Sequence, residues 1–412
     1  MALDGLNGVF CDLKFLAYFL ETRGLRDVIS GSAQPQITRS SLSPINVALA
    51  PRNEQTRIVE KLEELLSDLD AGVAELKAAQ KKLVQYRQSL LKAAVEGALT
   101  APWREVQRKL NKPQETGAQL LQRILTERRA RWEAKQLAKF AEQGKAPAKD
   151  WQKKYPEPVK PDTSGLPGLP EGWVWASVDE LTPDDLANGR SVPSAESGAK
   201  VLRLTAVKSG HIELNQHKHG DWDEAAAKPY AVVEGDLLIV RGNGSLSLVG
   251  RAGLVGKVHD QIAYPDTMIR LRVLEAFVSA SWIGLLWDSQ LIRSHIERRA
   301  RTSAGIYKIS QPDIVSAPIP VPPVHEQQAI LLANVSVNEV LVKTQFALED
   351  GFKQAAAQRK NILKAAFSGQ LVTQDPKDEL ASALLARIRA ERAESSSRPA
   401  KSVRKPKTPA KA

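Results

Sequence analysis

The sequence predicts an α/β protein of the mixed, α+β kind: a domain of short, curved strands together with two long helices that form a coiled coil. Three observations predict it. Residues 37–99 recur without a gap 272 positions later, so that Pro51 matches Pro323, Glu54-Gln55 matches Glu326-Gln327, and Leu91-Lys92-Ala93-Ala94 matches Leu363-Lys364-Ala365-Ala366. Register held over that span without an insertion implies a rigid element, and the repeat is too long for a solenoid unit. Leu62, Leu69, Leu76, Leu83 and Leu90 fall every seven residues, which is the spacing of a coiled-coil seam. Between the two copies lie short apolar runs punctuated by glycine and proline, the pattern of brief buried strands.

Taken in order, residues 1–52 look like the closing part of a domain. Phe10 to Leu20 is a short apolar helix, and Gln36 to Pro51 alternates like an edge strand. Pro51-Arg52-Asn53-Glu54 then starts a helix, with proline at the boundary and acid in the first turn. Leu65, Ala79, Tyr86 and Ala93, three residues beyond the leucines, fill the companion seam positions, and Gly97 ends the helix. Residues 53–150 stay helical beyond it, and 151–168 form a proline-rich linker. Residues 169–323 are the largest globular unit. Val201-Leu202-Arg203-Leu204 and Asp236 to Val240 read as buried strands, Arg241 to Ser245 as a turn, and Trp282 to Ile296 as one helix with Trp282 and Trp287 in the core. The second long helix opens residues 324–394, and its seam carries Asn334, Leu341, Leu348, Ala355 and Ile362. Ala383 to Ile388 echoes Gln119 to Ile124.

The 412 residues carry a net charge of +11, a bias that favours polyanions. Six cations (Arg398, Lys401, Arg404, Lys405, Lys407, Lys411) sit in residues 395–412 with no acid, which reads as a disordered basic tail. One cysteine, Cys11, excludes an internal disulfide and a cysteine-based zinc site. No membrane-length apolar run or secretory signal is present, so a cytoplasmic location is expected.

Catalytic patterns fail on inspection. Gly250 to Lys257 is one residue too long for a phosphate loop, with Val258 where a magnesium-binding hydroxyl belongs. Gly242-Asn243-Gly244 is followed by Ser247 in place of the third glycine of a dinucleotide fingerprint. His211, His217 and His219 lie together on a loop without the acids of a metal site, so no metal is expected. The chain reads as a binder.

Four stretches carry a family resemblance. They are Ile319-Pro320-Val321-Pro322-Pro323 leading to Glu326-Gln327, Leu363 to Val372 followed by Gln374-Asp375-Pro376, Leu169-Pro170-Glu171-Gly172-Trp173, and Gly235 to Ile239 leading to Val249-Gly250-Arg251. In their order along the chain, and duplicated, they make nearly all of residues 1–395 resemble the specificity subunit of type I restriction–modification enzymes. The resemblance implies target-recognition domains that read double-stranded DNA and an antiparallel pair of spacer helices. It implies no catalysis and no cofactor in this chain. Type I modification (methyltransferase) subunits would dock on it and use S-adenosylmethionine, and restriction/motor subunits joined through them would use ATP.

The chain departs from the family pattern at its start, because Met1 aligns with Val273 while the complete recognition domain opens at Leu169. The expectation is a subunit truncated within its first recognition domain by about 104 residues, the interval from Leu169 to Val273. Phe10, Phe15 and Phe19 would then be exposed. Either two copies of the chain would associate and present two identical readers in two-fold relation, or a separately encoded half-domain would complete it, unless the truncated subunit is inactive. A stand-alone coiled-coil DNA-binding protein is the competing reading, and a structural scaffold the third. The DNA-contacting candidates fall in three groups: Lys208, His211, Lys218 and His219 on one loop; Arg241, Asn243, Ser245 and Arg251 around the turn; and Arg298, Arg299, Arg301, Ser303, Tyr307 and Lys308 after the helix. Basic and polar side chains of this kind hold phosphates and read base edges.

Overall fold

A computed structural model describes residues 10–30, 36–110 and 115–397. The basic tail therefore lies outside the described residues from 398 onward. Helix α1 covers Leu13–Arg23, α2 Arg39–Leu42 and α3 Arg52–Val95, followed by α4 (Ala101–Lys109) and α5 (Gly117–Glu142). The strand-rich part opens with β1 (Val174–Ser177), α6 (Val178–Leu181), β2 (Ala187–Asn188) and β3 (Lys200–Leu202). Next come β4 (Val207–Lys208), β5 (Gly210–Ile212), β6 (His217–His219) and α7 (Glu224–Ala227). Strands β7 (Leu237–Val240), β8 (Gly242–Asn243), β9 (Ala252–Leu254), β10 (Ile262–Ala263) and β11 (Met268–Leu271) follow. Helices α8 (Ala280–Trp287) and α9 (Gln290–Arg299) precede the hairpin β12 (Arg301–Ser303) and β13 (Ile306–Lys308). Helix α10 (Gln311–Val315), β14 (Pro318–Val321), α11 (Val324–Phe367) and α12 (Ala381–Ser397) complete the order.

The chain divides into two compact units. One holds residues 1–82 and 343–412, the other residues 83–342. In the first, α3 and α11 pair antiparallel: Leu62 shares a core with Leu363 and Ala366, while Leu76 lies against the bare Cα of Gly351. A higher number on one helix meets a lower number on the other. The less exposed companions are Leu66 and Val73, four residues beyond the leucines, whereas Ala79 is exposed. Of the expected seam, Leu62 is fully buried, Leu348 is buried, and Leu69, Leu76 and Ile362 are half-buried. Phe15 is buried, contrary to expectation, and Phe19 is half-buried, because both meet the edge of Phe367, at 5.2 and 5.4 Å between ring centres.

The second unit is built on a six-stranded sheet of order β2-β11-β7-β9-β5-β4, with β11 and β7 antiparallel in the register Ile269↔Ile239. Every residue of β7 is buried, which suits a central strand covered on both faces. Trp282 and Trp287 are fully buried in the core and donate to the carbonyls of Pro320 and Gly250, at 3.1 and 2.8 Å. The expected single helix over Trp282 to Ile296 is two helices, because Asp288 and Ser289 leave the ladder and the Ser289 hydroxyl caps the second one. Leu83 and Leu90 are half-buried here and Leu341 is buried, while Tyr86 is 53% exposed.

Two smaller sheets and a strand pair complete this unit. Strands β10-β3-β6 form one sheet, β12-β13-β8 another, and β1 pairs with β14. Within it, Trp173, Arg104 and Thr100 converge on the buried carboxylate of Glu326. The indole donates at 2.8 Å and the threonine hydroxyl at 2.6 Å, while Arg104 forms a close ion pair. The Glu326 carboxylate thus ties the start of α11 to the start of α4, through Thr100 and Arg104, and to the start of β1, through Trp173.

Candidate nucleic-acid interface

Buried strand β7 delivers Arg241 to the surface, and the next two residues become β8. Tyr307 stands opposite Asn243, and Lys308 opposite Gly242. On the other edge of β13, Arg301 faces Lys308 and Thr302 faces Tyr307. Alternation along the strands puts Arg301 and Lys308 on one face and Tyr307 and Asn243 on the other. The hairpin closes through Ala304 and Gly305, both at positive φ (50° and 76°), the conformation of a two-residue type I′ turn. Residues expected in two separate groups, a turn and a post-helix segment, are thereby one small sheet.

Arg301 and Lys308 are both exposed and occupy directly opposed positions, where like charges repel. A polyanion crossing this face would relieve that repulsion. Arg298 is exposed on the last turn of α9, whereas Arg299 is turned inward, its guanidinium donating to Nδ1 of His295 at 3.2 Å. Ser303 belongs to β12 by its backbone.

Lys208, His211, Lys218 and His219 do not share a loop. Lys208 and His211 pair across the β4–β5 hairpin, turned by Ser209 and Gly210 at φ 42° and 83°. Lys218 and His219 lie on β6 of a different sheet. Strands of two or three residues separated by such turns look like loop in sequence. The Lys218 ammonium is engaged by the Val192 carbonyl and the Ser194 hydroxyl, at 2.9 and 3.0 Å, and His219 Nδ1 bonds the Gly198 carbonyl at 2.8 Å. These two act within the protein. Lys208 instead lines a cavity of about 270 Å³ together with Asn243, Arg251 and Asp288, which joins the first group to the second. Burial pushes the Asp288 carboxyl up. Asn243 Oδ1 accepts the Ser245 amide at 3.0 Å, Ser245 and Ser247 share a hydroxyl contact of 2.9 Å, and Arg251 Nε donates to the Ser247 carbonyl at 2.9 Å. The turn is preorganised by its own side chains.

Among the described residues no group of His, Cys, Asp or Glu could hold a metal ion. His217 and His219 meet edge to face at 6.4 Å. No helix of the described residues is long and apolar enough to cross a membrane. The sequence reading missed the Glu326 hub. The signal was available in the Glu-Gln pair repeated at both long-helix starts, a polar pair buried where apolar neighbours crowd.

A mixed α/β unit bearing a basic, turn-rich sheet, with two long antiparallel helices, defines a class of helix-spaced binding subunits. No family model matches the chain. It is 29% identical over 404 residues to the type I restriction enzyme EcoKI specificity subunit of Escherichia coli (strain K12), covering 92% of this chain and 72% of that one. It is 23% identical over 398 residues to the StySPI specificity subunit of Salmonella potsdam, covering 93% and 73%. A solved structure described as showing complex assembly and conformational transition of the type I R-M system superposes with a TM-score of 0.54, at 16% identity over 88% of this chain and 73% of that one. Over about nine tenths of its length the chain is thus similar to the specificity subunits of type I restriction–modification enzymes.

Proposed function

We propose that this chain is the DNA-recognition subunit of a type I restriction–modification complex. It reads target DNA through the sheet carrying Arg241, Asn243, Arg301, Tyr307 and Lys308. It docks methyltransferase subunits through its long helices and performs no catalysis itself. S-adenosylmethionine and ATP belong on those partners and on the restriction subunits joined through them, and the complex works in the cytoplasm. The observation that carries the DNA-reading assignment is the opposed Arg301–Lys308 pair beside the preorganised Asn243 turn. Cations for phosphate on one face and polar groups for base edges on the other are carried by the same three-stranded sheet.

Docking is supported by the exposed apolar residues of α11. In the second unit Leu332, Val335 and Val342 are 71, 55 and 49% exposed, and their spacing of three and seven residues places them on one stripe. Methylation mapping in cells carrying this gene with a modification-subunit gene tests the proposal. One new methylated DNA motif is expected, lost when this gene is deleted. Methylation that persists without the chain overturns it.

A further inference from the structure

The two halves of the duplication use one acid differently. Asp12 caps α1 and Ser279 caps α8, and nine residues beyond each cap stands an acid, Glu21 and Asp288. On the long helices, Arg359 and Arg87 are likewise equivalent, 272 positions apart. In the earlier half Glu21 and Arg359 form an ion pair at 3.0 Å. In the later half the side chain is one methylene shorter, and Arg87 lines a cavity with Asp288 without pairing with it. Arg87, Arg251 and Arg293 act on the Asp288 carboxyl through their charge alone, and no hydrogen bond from a described residue reaches it. Arg293 is committed to the Val249 carbonyl and to Glu297, at 2.8 and 3.1 Å.

The carboxylate stands at a cavity instead. One of its oxygens lies 3.5 Å from where a Cβ on Gly210 would sit, in the turn of the β4–β5 hairpin. The space there, about 270 Å³, is the one lined by Lys208, Asn243 and Arg251. Arg251 gives Nε to the Ser247 carbonyl, which leaves the two terminal nitrogens of an exposed guanidinium as a pair of donors. An ionised Asp288 is an acceptor only. A donor pair and an acceptor at one opening match the major-groove edge of a C·G pair. Guanine offers O6 and N7 to a guanidinium, and cytosine offers its N4 amine to a carboxylate. Adenine fits less well, because its N7 acceptor would face the second carboxylate oxygen, and thymine presents no donor at all. Phosphates repel a carboxylate, and the charges of Lys208, Arg251 and Arg87 around it offset that repulsion.

We propose that Asp288 accepts the N4 amine of a cytosine in the target DNA, while Arg251, on the same cavity, takes O6 and N7 of the paired guanine. The assignment rests on the DNA-reading role proposed above and names the base pair read beside the Asn243 turn. Asp288 is a specificity residue for a simple reason: its unpaired oxygens are satisfied only by DNA that presents an amine there. Thymine at that position sets O4, an acceptor, against the carboxylate and leaves both groups without a donor.

Methylation mapping in cells carrying this gene with a modification-subunit gene gives the parent motif, and Asp288→Asn, of nearly the same shape, is compared with it. The amide keeps one acceptor and gains a donor that thymine O4 can accept. The variant should therefore methylate the parent motif with one cytosine relaxed to cytosine or thymine, the thymine-bearing sites being modified about tenfold or more above the parent level. Arg251→Ala should relax the same base pair and no other. Both variants should melt within a few degrees of the parent. An unchanged motif in Asp288→Asn overturns the proposal. So does relaxation at an A·T pair or at several positions, and so does a loss shared equally by all sites, which would make Asp288 a structural residue. A parent chain that directs no methylation removes the DNA-reading role itself and this assignment with it, so the two failures are told apart.

Discussion

Gln55 and Gln327, at equivalent places in the two halves of the chain, make the same three hydrogen bonds. Gln55 donates to the carbonyls of Ala50 and Phe10, at 2.8 and 3.3 Å, and accepts from the Asp12 amide at 2.8 Å. Gln327 donates to the carbonyls of Pro322 and Phe277, at 3.1 and 3.3 Å, and accepts from the Ser279 amide at 3.0 Å. In each case the amide belongs to the residue that caps a short helix, α1 or α8. One buried side chain thus fastens the start of a long helix to the start of a short one, through backbone groups that would otherwise be unsatisfied.

Truncating either glutamine should therefore cost more than an average polar substitution. Gln55→Ala and Gln327→Ala are each expected to destabilise by about 2–3 kcal/mol, since buried donors and acceptors lose their partners. Hydrogen exchange should localise the two losses differently: around α1 for Gln55→Ala and around α8 for Gln327→Ala. A loss shared equally by both regions would mean that the two fastenings are not independent.

A pH dependence follows from His295. The ring is 4% exposed; Nε2 donates to the Asp313 carbonyl at 2.9 Å, and Nδ1 accepts from Arg299. Burial holds its pKa below the ordinary histidine value, and the nearby Arg299 and Arg298 charges add to this against the favourable Asp313 contacts. The unfolded chain therefore binds the proton more readily. Stability should be full above about pH 6.5, fall as pH drops below that value, and level off once the folded ring is also protonated. Urea midpoints at pH 7.5 and 5.5 should separate in the parent. His295→Gln should narrow that separation while lowering stability at pH 7.5.

The long-helix repeat was legible in the sequence because α3 and α11 match at one fixed offset over their whole length. The equivalence of α1 and α8 was not. Asp12 and Ser279 lie 43 and 48 residues before their glutamines, so a five-residue difference breaks the register, and Phe10 and Phe277 are too little to restore it. The coiled-coil leucines gave the buried seam, but the companion side of a heptad depends on where the partner helix lies, which sequence spacing leaves open between three residues on and four. The β8-β12-β13 sheet escaped notice because two- and three-residue strands have no periodicity to read. Arg241 and Lys308 looked like members of separate groups for that reason alone.

The sheet's charges make a prediction about DNA affinity. Lys308→Ala and Arg301→Ala should weaken binding to cognate and random duplex alike, each lowering the slope of log affinity against log salt by about one. Arg241→Ala with Asn243→Ala should instead weaken cognate binding more than random binding, by about tenfold or more. Equal losses on both duplexes would remove base reading from that turn. Asn243 also holds the Ser245 amide, so Asn243→Asp, which keeps an acceptor, separates turn geometry from base contact.

The helices make a prediction of a different kind, because burial separates folding from docking. Leu62 is fully buried and Leu76 only half-buried against Gly351. Leu62→Asp should therefore cost about 3 kcal/mol or more, and Leu76→Asp less, since an exposed edge lets the carboxylate reach water. Leu332 and Val335 are exposed on α11, so Leu332→Glu with Val335→Glu should leave the melting temperature within a few degrees. A charge pair in the middle of an apolar contact is nonetheless costly to bury. Pull-down of a modification subunit should accordingly fail with the Leu332/Val335 variant while the chain stays folded by circular dichroism. Capture that survives this double substitution would place the docking surface off this stripe of α11.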